Sequence, residues 1–281
     1  MEQRLFGASK RNASVVGQGT WYIERAERAR ALAALRRGLD LGMTHIDTAE
    51  MYGSGAAEEI VGEAIQGRRS EAFLVSKVLP HNASLSGTIK ACEASLKRLK
   101  TDHLDCCLLH WRGEHPLADT VRAMERLQQD GKIKSWGVSN FDESDLDELL
   151  TVTGKPSFAC NQVLYHLKER AIEHAVLPWC EKRGVAVVAY SPFGHNDFPG
   201  PSTRGGQVLQ EVALAHHATV HQVALRFLLR SPGTFAIPKA AHAEHASDNA
   251  AAGDLRLTPA EIARIDEAFP RGKKPRSLPM I

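Results

Sequence analysis

The 281-residue chain holds five cysteines and no Cys-x-x-Cys pair. The count is odd, and Cys106 and Cys107 are neighbours on a strand-like segment, where successive side chains point to opposite faces. A disulfide framework is therefore not expected; the residues read as buried, reduced thiols of a cytoplasmic protein. A large excess of either charge is also lacking. Thirty-five Lys and Arg against 33 Asp and Glu leave a net of +2, too mild to argue for a nucleic-acid partner. No run of ~18 apolar residues exists, so no membrane span is expected. The start, Met1-Glu2-Gln3-Arg4-Leu5, lacks the apolar core of a secretory signal. A Gly-x-Gly-x-x-Gly fingerprint is also missing. Gly17-Gln18-Gly19 has no third glycine and opens no helix, which argues against a Rossmann domain.

What is there alternates along the whole chain. A polar, Gly-bearing lead-in over 4–15 suits a hairpin. Strands are expected at 14–21, 44–47, 72–77, 104–109, 134–138, 158–162, 185–190 and 234–238. Helices are expected between them at 24–41, 56–66, 86–100, 116–130, 142–150, 169–183 (with a kink at Pro178), 207–216 and 219–229. A last helix follows Thr258-Pro259-Ala260-Glu261, a capping box with Pro at its first position. Several strands are apolar without alternation, as expected of strands covered on both faces. Eight strand–helix units with short connections and no linker favour one (β/α)₈ TIM barrel over 1–281, with a short N-terminal hairpin. The tail from Pro270 is expected on the surface, leaving an open pocket.

In such a barrel, functional groups collect where strands end. Those ends carry Trp21, Asp47, Lys77, His110, Ser139-Asn140, Gln162, Tyr190 and Lys239, and Tyr52 stands five residues beyond Asp47. A phenol is a poor acid at neutral pH until its surroundings tune it. An ammonium such as Lys77 lowers the phenol pKa, a carboxylate such as Asp47 holds the ammonium, and a neutral His110 can donate to a carbonyl oxygen. Together they could protonate an oxygen while its carbon is attacked. Any one of them, taken alone, also fits a core ion pair or a hydrogen-bonded core histidine. A metal pair at His45 and Asp47 lacks further ligands at the other strand ends. His217 and His221, four apart on a helical stretch, lack a third ligand and read as a surface face.

The ordered set of motifs resembles the aldo-keto reductases. It comprises Gly19-Thr20-Trp21, His45-Ile46-Asp47-Thr48-Ala49 with Tyr52-Gly53, Lys77, Leu108-Leu109-His110-Trp111, and Gly131-Lys132-Ile133. It continues with Trp136 to Phe141, Asn161-Gln162, Tyr190-Ser191-Pro192 and Ile237-Pro238-Lys239. The resemblance implies reduction of aldehydes, ketones or dicarbonyls to alcohols by a barrel that binds a nicotinamide dinucleotide without a Rossmann domain. It implies that Tyr52 is the general acid, Lys77 and Asp47 its tuning pair, and His110 the group orienting the carbonyl. Trp21 and Trp111 would line the substrate pocket. Gly19, Thr20, Asp47, Ser139, Asn140, Gln162, Tyr190, Ser191, Pro192, Phe193, Gly194, Ile237 and Lys239 would contact the cofactor. At the adenosine end the family pattern is altered. Ala240 follows Lys239 where Ser or Thr is common, His245 stands at an Arg position, and Asp248-Asn249 replaces Glu-Asn. Arg would grip a 2′-phosphate with two donors, whereas an imidazole offers one and is only partly charged near neutral pH. NADP(H) is thus the favoured cofactor, with NAD(H) admitted and weaker discrimination between them than in an Arg-bearing relative. The implied partner is a small carbonyl substrate, and the expected state is a monomer. The alternative is a cofactor-binding regulatory subunit on the same fold with little turnover.

Overall fold

A computed structural model describes residues 1–281 of the chain. It opens with the expected hairpin, in which β1 (Gln3–Leu5) pairs antiparallel with β2 (Asn12–Ser14). The hairpin turn carries Phe6, fully buried with its ring centroid 4.8 Å from that of Phe73 and 5.0 Å from that of Phe235. It closes the N-terminal end of the barrel.

Eight parallel strands follow: β3 (Gln18–Gly19), β4 (His45–Asp47), β5 (Phe73–Val78), β6 (Leu104–Leu109), β7 (Ile133–Ser139), β8 (Cys160–Leu164), β9 (Ala186–Tyr190) and β10 (Thr234–Ala236). Each pairs with the next in sequence. The two ends of the sheet meet through bridges of Val16 to Ala236 and Gly19 to Lys239. There the Gly17 N–H donates to the Ala236 carbonyl at 2.7 Å and the Gly19 N–H to that of Pro238 at 3.1 Å. Only glycine fits at this seam, because a Cβ on Gly19 would lie 2.5 Å from the Ile237 carbonyl oxygen.

The helices are α1 (Arg28–Asp40), α2 (Ala56–Ala64), α3 (Leu85–Leu99), α4 (Leu117–Gln129), α5 (Glu143–Thr153), α6 (Val176–Arg183), α7 (Arg204–Ala215), α8 (Val220–Leu228), α9 (Ala243–Ala251) and α10 (Pro259–Ala268). Strands β5 and β6 are buried along their whole length, the consequence of having a core on each face. Cys106 belongs to the apolar cluster inside the barrel and Cys107 to the larger one beneath the helices, so the two neighbours do face opposite ways. All five cysteines are buried.

Several expected boundaries move, each for a local reason. The first strand shrinks to two residues: Ser14 belongs to the hairpin, and Trp21 already lies in a turn. The first helix starts at Arg28 and not at residue 24. A 3-10 turn over Ile23–Arg25 precedes it, and Ala26 is extended with ψ 161. The expected helix over 169–183 is two pieces, a 3-10 turn Ala171–His174 and α6, divided at Ala175. The break falls three residues before Pro178. The proline ring would clash with the carbonyl four residues earlier, so it is accommodated only in the first turn of a new helix. Helix α7 begins three residues earlier than expected, capped by Thr203, whose side chain accepts from the Gly206 N–H. His217 has φ 51 in the turn before α8, so it does not share a helix with His221.

Candidate active site

The strand ends converge as a (β/α)₈ barrel requires. Asp47 is the last residue of β4, Lys77 lies one residue before the end of β5, His110 directly follows β6, and Ser139 and Tyr190 end β7 and β9. Tyr52 reaches the same place from a tight turn after β4. Gly53, Ser54 and Gly55 all have left-handed φ there (56°, 53° and 96°), which folds the chain back and sets the phenol inward.

Lys77 is 1% exposed and binds three oxygens. Its Nζ donates to Asp47 Oδ1 at 2.5 Å, to the Thr48 carbonyl at 2.9 Å and to the Tyr52 hydroxyl at 3.2 Å. Burial opposes its charge, but Asp47 and Tyr52 outweigh burial and lift its pKa above the ordinary lysine value. The ammonium is therefore kept through the neutral range. Because the Tyr52 oxygen accepts from Lys77, its own proton is left to point elsewhere. Sequence reasoning expects Lys77 to lower the Tyr52 pKa. In the fold burial is the larger influence, and although Lys77 pulls down, the net displacement is upward. Tyr52 keeps its proton through the neutral range.

His110 stands against Tyr52, ring centroids 5.8 Å apart and edge-on at 77°. Burial first, and the Lys77 charge second, push its pKa down to about 2, so the imidazole is neutral. Nδ1 is sealed off without a partner, which leaves Nε2 as the nitrogen open to the cavity. The amides form a second connected group. Gln162 Nε2 donates to Asp47 Oδ2 at 2.7 Å, and Ser139 Oγ to the Gln162 carbonyl at 2.9 Å. Asn140, with φ 61, donates to the His110 carbonyl at 3.1 Å and accepts from the Tyr190 hydroxyl at 2.9 Å. Thr20 Oγ1 donates to the Asp47 carbonyl at 2.9 Å.

These groups surround one cavity of about 450 Å³. Its wall includes Gly19, Trp21, Trp111, Ser191, Pro192, Phe193, Gly194, Ile237 and Lys239 besides the residues above, while Lys77 sits behind Asp47 and Tyr52. The wall also takes Tyr22, Met51, His195, Asn196, Pro238 and Ile281, none of them expected from the sequence as a cofactor or substrate contact. Tyr22 and Met51 adjoin Trp21 and Tyr52 in the chain, which is their signal in the sequence. His195 comes from the Gly/Pro-rich loop after β9 and stacks on Trp21 at 5.9 Å, joining loop and pocket. The tail is mostly exposed, as expected, but its last residue returns to the cavity wall.

His245 is outside this cavity. It lies on α9 beside a neighbouring depression that shares Lys239 and Tyr22 with the main cavity. Asp248 and Asn249, grouped with it from the sequence, line neither space. Asp248 accepts from Gln222 Nε2 at 2.7 Å and from Thr219 Oγ1 at 3.2 Å, the residues that cap α8, and Asn249 is buried. His45 is likewise no partner for Asp47 around a metal. It is buried lower in the barrel, edge-on to Phe6, Phe73 and Phe235, with both ring nitrogens unpaired.

The aldo/keto reductase family model matches residues 15–269. The chain belongs to the aldo/keto reductase family. It is 47% identical over 268 residues to methylglyoxal reductase YeaE of Escherichia coli K12, covering 95% of this chain and 94% of that protein. It is 34% identical over 254 residues to the glyoxal reductase of Bacillus subtilis, covering 89% and 87%. Among solved structures, an aldo/keto reductase from Klebsiella pneumoniae in complex with NADP and acetate superposes with a TM-score of 0.94. That protein is 43% identical, with both chains fully covered.

Proposed function

We propose that this aldo/keto reductase is an NADPH-dependent carbonyl reductase of small aldehydes, ketones and α-dicarbonyls, with residues 1–281 acting as one barrel domain. The observation that carries the reading is the contact of fully buried Lys77 with both Asp47 and the Tyr52 hydroxyl at the floor of an open cavity. The names of two relatives, a methylglyoxal and a glyoxal reductase, support short dicarbonyls as the substrate class.

The donor set suits a nicotinamide dinucleotide. Ser139, Asn140 and Gln162 present amide and hydroxyl groups beside the half-buried ring of Tyr190, a flat surface suited to stacking an aromatic heterocycle. Gln162 Nε2 is already engaged by Asp47 and its backbone carbonyl by Ser139, so the side-chain oxygen Oε1 is the atom left to accept from a carboxamide. When bound, the cofactor supplies a hydride to the carbonyl carbon. The chain supplies the rest. His110 donates from Nε2 to the carbonyl oxygen and aligns it, which a neutral imidazole can do and an imidazolium would do only by bringing an extra charge into the site. Tyr52 transfers its proton to the same oxygen as negative charge builds there. The resulting phenolate is stabilised by the Lys77 ammonium, which Asp47 keeps in place. Trp21 and Trp111 bound the substrate side and restrict water.

The test is consumption of NADPH, followed at 340 nm, by purified protein offered methylglyoxal, glyoxal, diacetyl and simple aldehydes. Turnover of at least one α-dicarbonyl is expected. Absence of carbonyl-dependent oxidation across the panel would leave the regulatory-subunit alternative standing.

A further inference from the structure

The depression beside the main cavity is lined by eight residues, and none is acidic. Arg25, Lys239, His242 and His245 contribute its polar side chains together with Tyr22. Two of them, Tyr22 and Lys239, also line the main cavity, so a ligand leaving that cavity past Lys239 enters a basic recess. Arg25 is placed there by the 3-10 turn that replaces the expected start of α1. Tyr22 has φ 63, and the turn returns the Arg25 guanidinium over the Tyr22 ring, 3.7 Å from its centroid. Stacking holds the guanidinium plane in one orientation and leaves its N–H edges free. The closest carboxylate, Glu24, lies 4.0 Å from Arg25 Nε, beyond hydrogen-bond distance.

We propose that Arg25 is the residue that selects NADPH over NADH, by gripping the 2′-phosphate in the recess it shares with Lys239. This rests on the cofactor reading above and deepens it. The two cofactors differ only by that phosphate, and a guanidinium is the side chain that can bind it through two parallel donors. Helix α9 carries His245 at the position where an arginine would be expected; the β3–α1 loop supplies the guanidinium from the opposite side. NADPH preference is accordingly stronger than His245 alone would give.

The proposal is tested with the full-length protein by calorimetric binding of 2′,5′-ADP and 5′-AMP, and by fluorescence titration with NADPH and NADH. The wild type is expected to bind 2′,5′-ADP more tightly than 5′-AMP. In Arg25→Met the ratio of the two dissociation constants falls at least about tenfold, chiefly through weaker 2′,5′-ADP binding. Arg25→Lys, which keeps the charge and loses the fork, falls in between. Equal weakening of phosphorylated and unphosphorylated ligands would show Arg25 to be a prop for the loop and overturn the proposal, as would no change in either. A wild type that binds neither cofactor would instead defeat the reductase reading itself.

Discussion

At the scale of single residues, the proposed chemistry rests on two groups held in unequal protonation states. Tyr52 is protonated because burial raises its pKa, and His110 is neutral because burial and Lys77 together take its pKa to about 2. The sign of the pH dependence follows. Falling pH does not charge His110 until far below neutrality, and rising pH does not deprotonate Tyr52 below its ordinary value near 10. The rate of carbonyl reduction, kcat/KM, is therefore expected to be level between about pH 5 and 9, provided saturating cofactor is present. A steep loss around pH 6 to 7 would mean that His110 titrates there and that its environment is different. Replacing Lys77 by Met removes the only cation touching the Tyr52 oxygen. That variant should lose at least about 100-fold in kcat, and its thermal midpoint should fall too because Asp47 is left buried without its cation. Retention of near-normal kcat in a folded Lys77→Met protein would remove Lys77 from the mechanism.

At the scale of elements, the position of Tyr52 depends on how closely α2 packs on α3. A Cβ on Gly62 of α2 would sit 2.7 Å from the Leu99 carbonyl oxygen and 2.9 Å from its Cα. Gly62→Ala must push the helices apart, and about 1–3 kcal/mol of destabilisation is expected in urea unfolding. Because α2 directly continues the Tyr52 turn, kcat should fall with it; an unchanged midpoint would show that the two helices can separate freely. Elements of this kind differ in how clearly they can be read from sequence. Thr219 with Gln222 and Thr258 with Glu261 mark the starts of α8 and α10 in the sequence itself, and both boxes form. The strand-end residues Asp47, Lys77 and His110 were evident because buried strands stop abruptly at polar side chains. Helix α9 was not. Its sequence is Ala-rich with little apolar periodicity, and its N-cap His242 makes no side-chain capping bond. That helix and the 3-10 turn before α1 build the recess that Arg25 and His245 share, so the recess has no local sequence signal. The return of Ile281 to the cavity depends on tertiary folding of the tail and had no local signal.

At the scale of the whole molecule, two of the buried histidines, His45 and His110, cannot readily take a proton. His45 has its pKa reduced to about 4, chiefly by burial, and His110 is lower still. In the unfolded chain both return to the ordinary histidine value near 6.5. Between that value and the folded one, the unfolded state binds more protons, so stability drops as pH falls, by up to ~1.4 kcal/mol per pH unit for each group. From pH 7 to 5, His45 alone contributes a loss of about 2 kcal/mol. His45→Leu, which removes two unpaired nitrogens and keeps an apolar contact with Phe6, should narrow the difference between the thermal midpoints at pH 7 and pH 5. An unaltered difference would contradict this. The central claim, that the barrel gathers its polar strand ends around one proton donor, is tested most directly by Tyr52→Phe. Steady-state reduction of an α-dicarbonyl turned over by the wild type is measured beside NADPH binding by fluorescence. In Tyr52→Phe, kcat is expected to drop at least about 1,000-fold while NADPH affinity stays within a few-fold of wild type. Turnover comparable to wild type in Tyr52→Phe would contradict it.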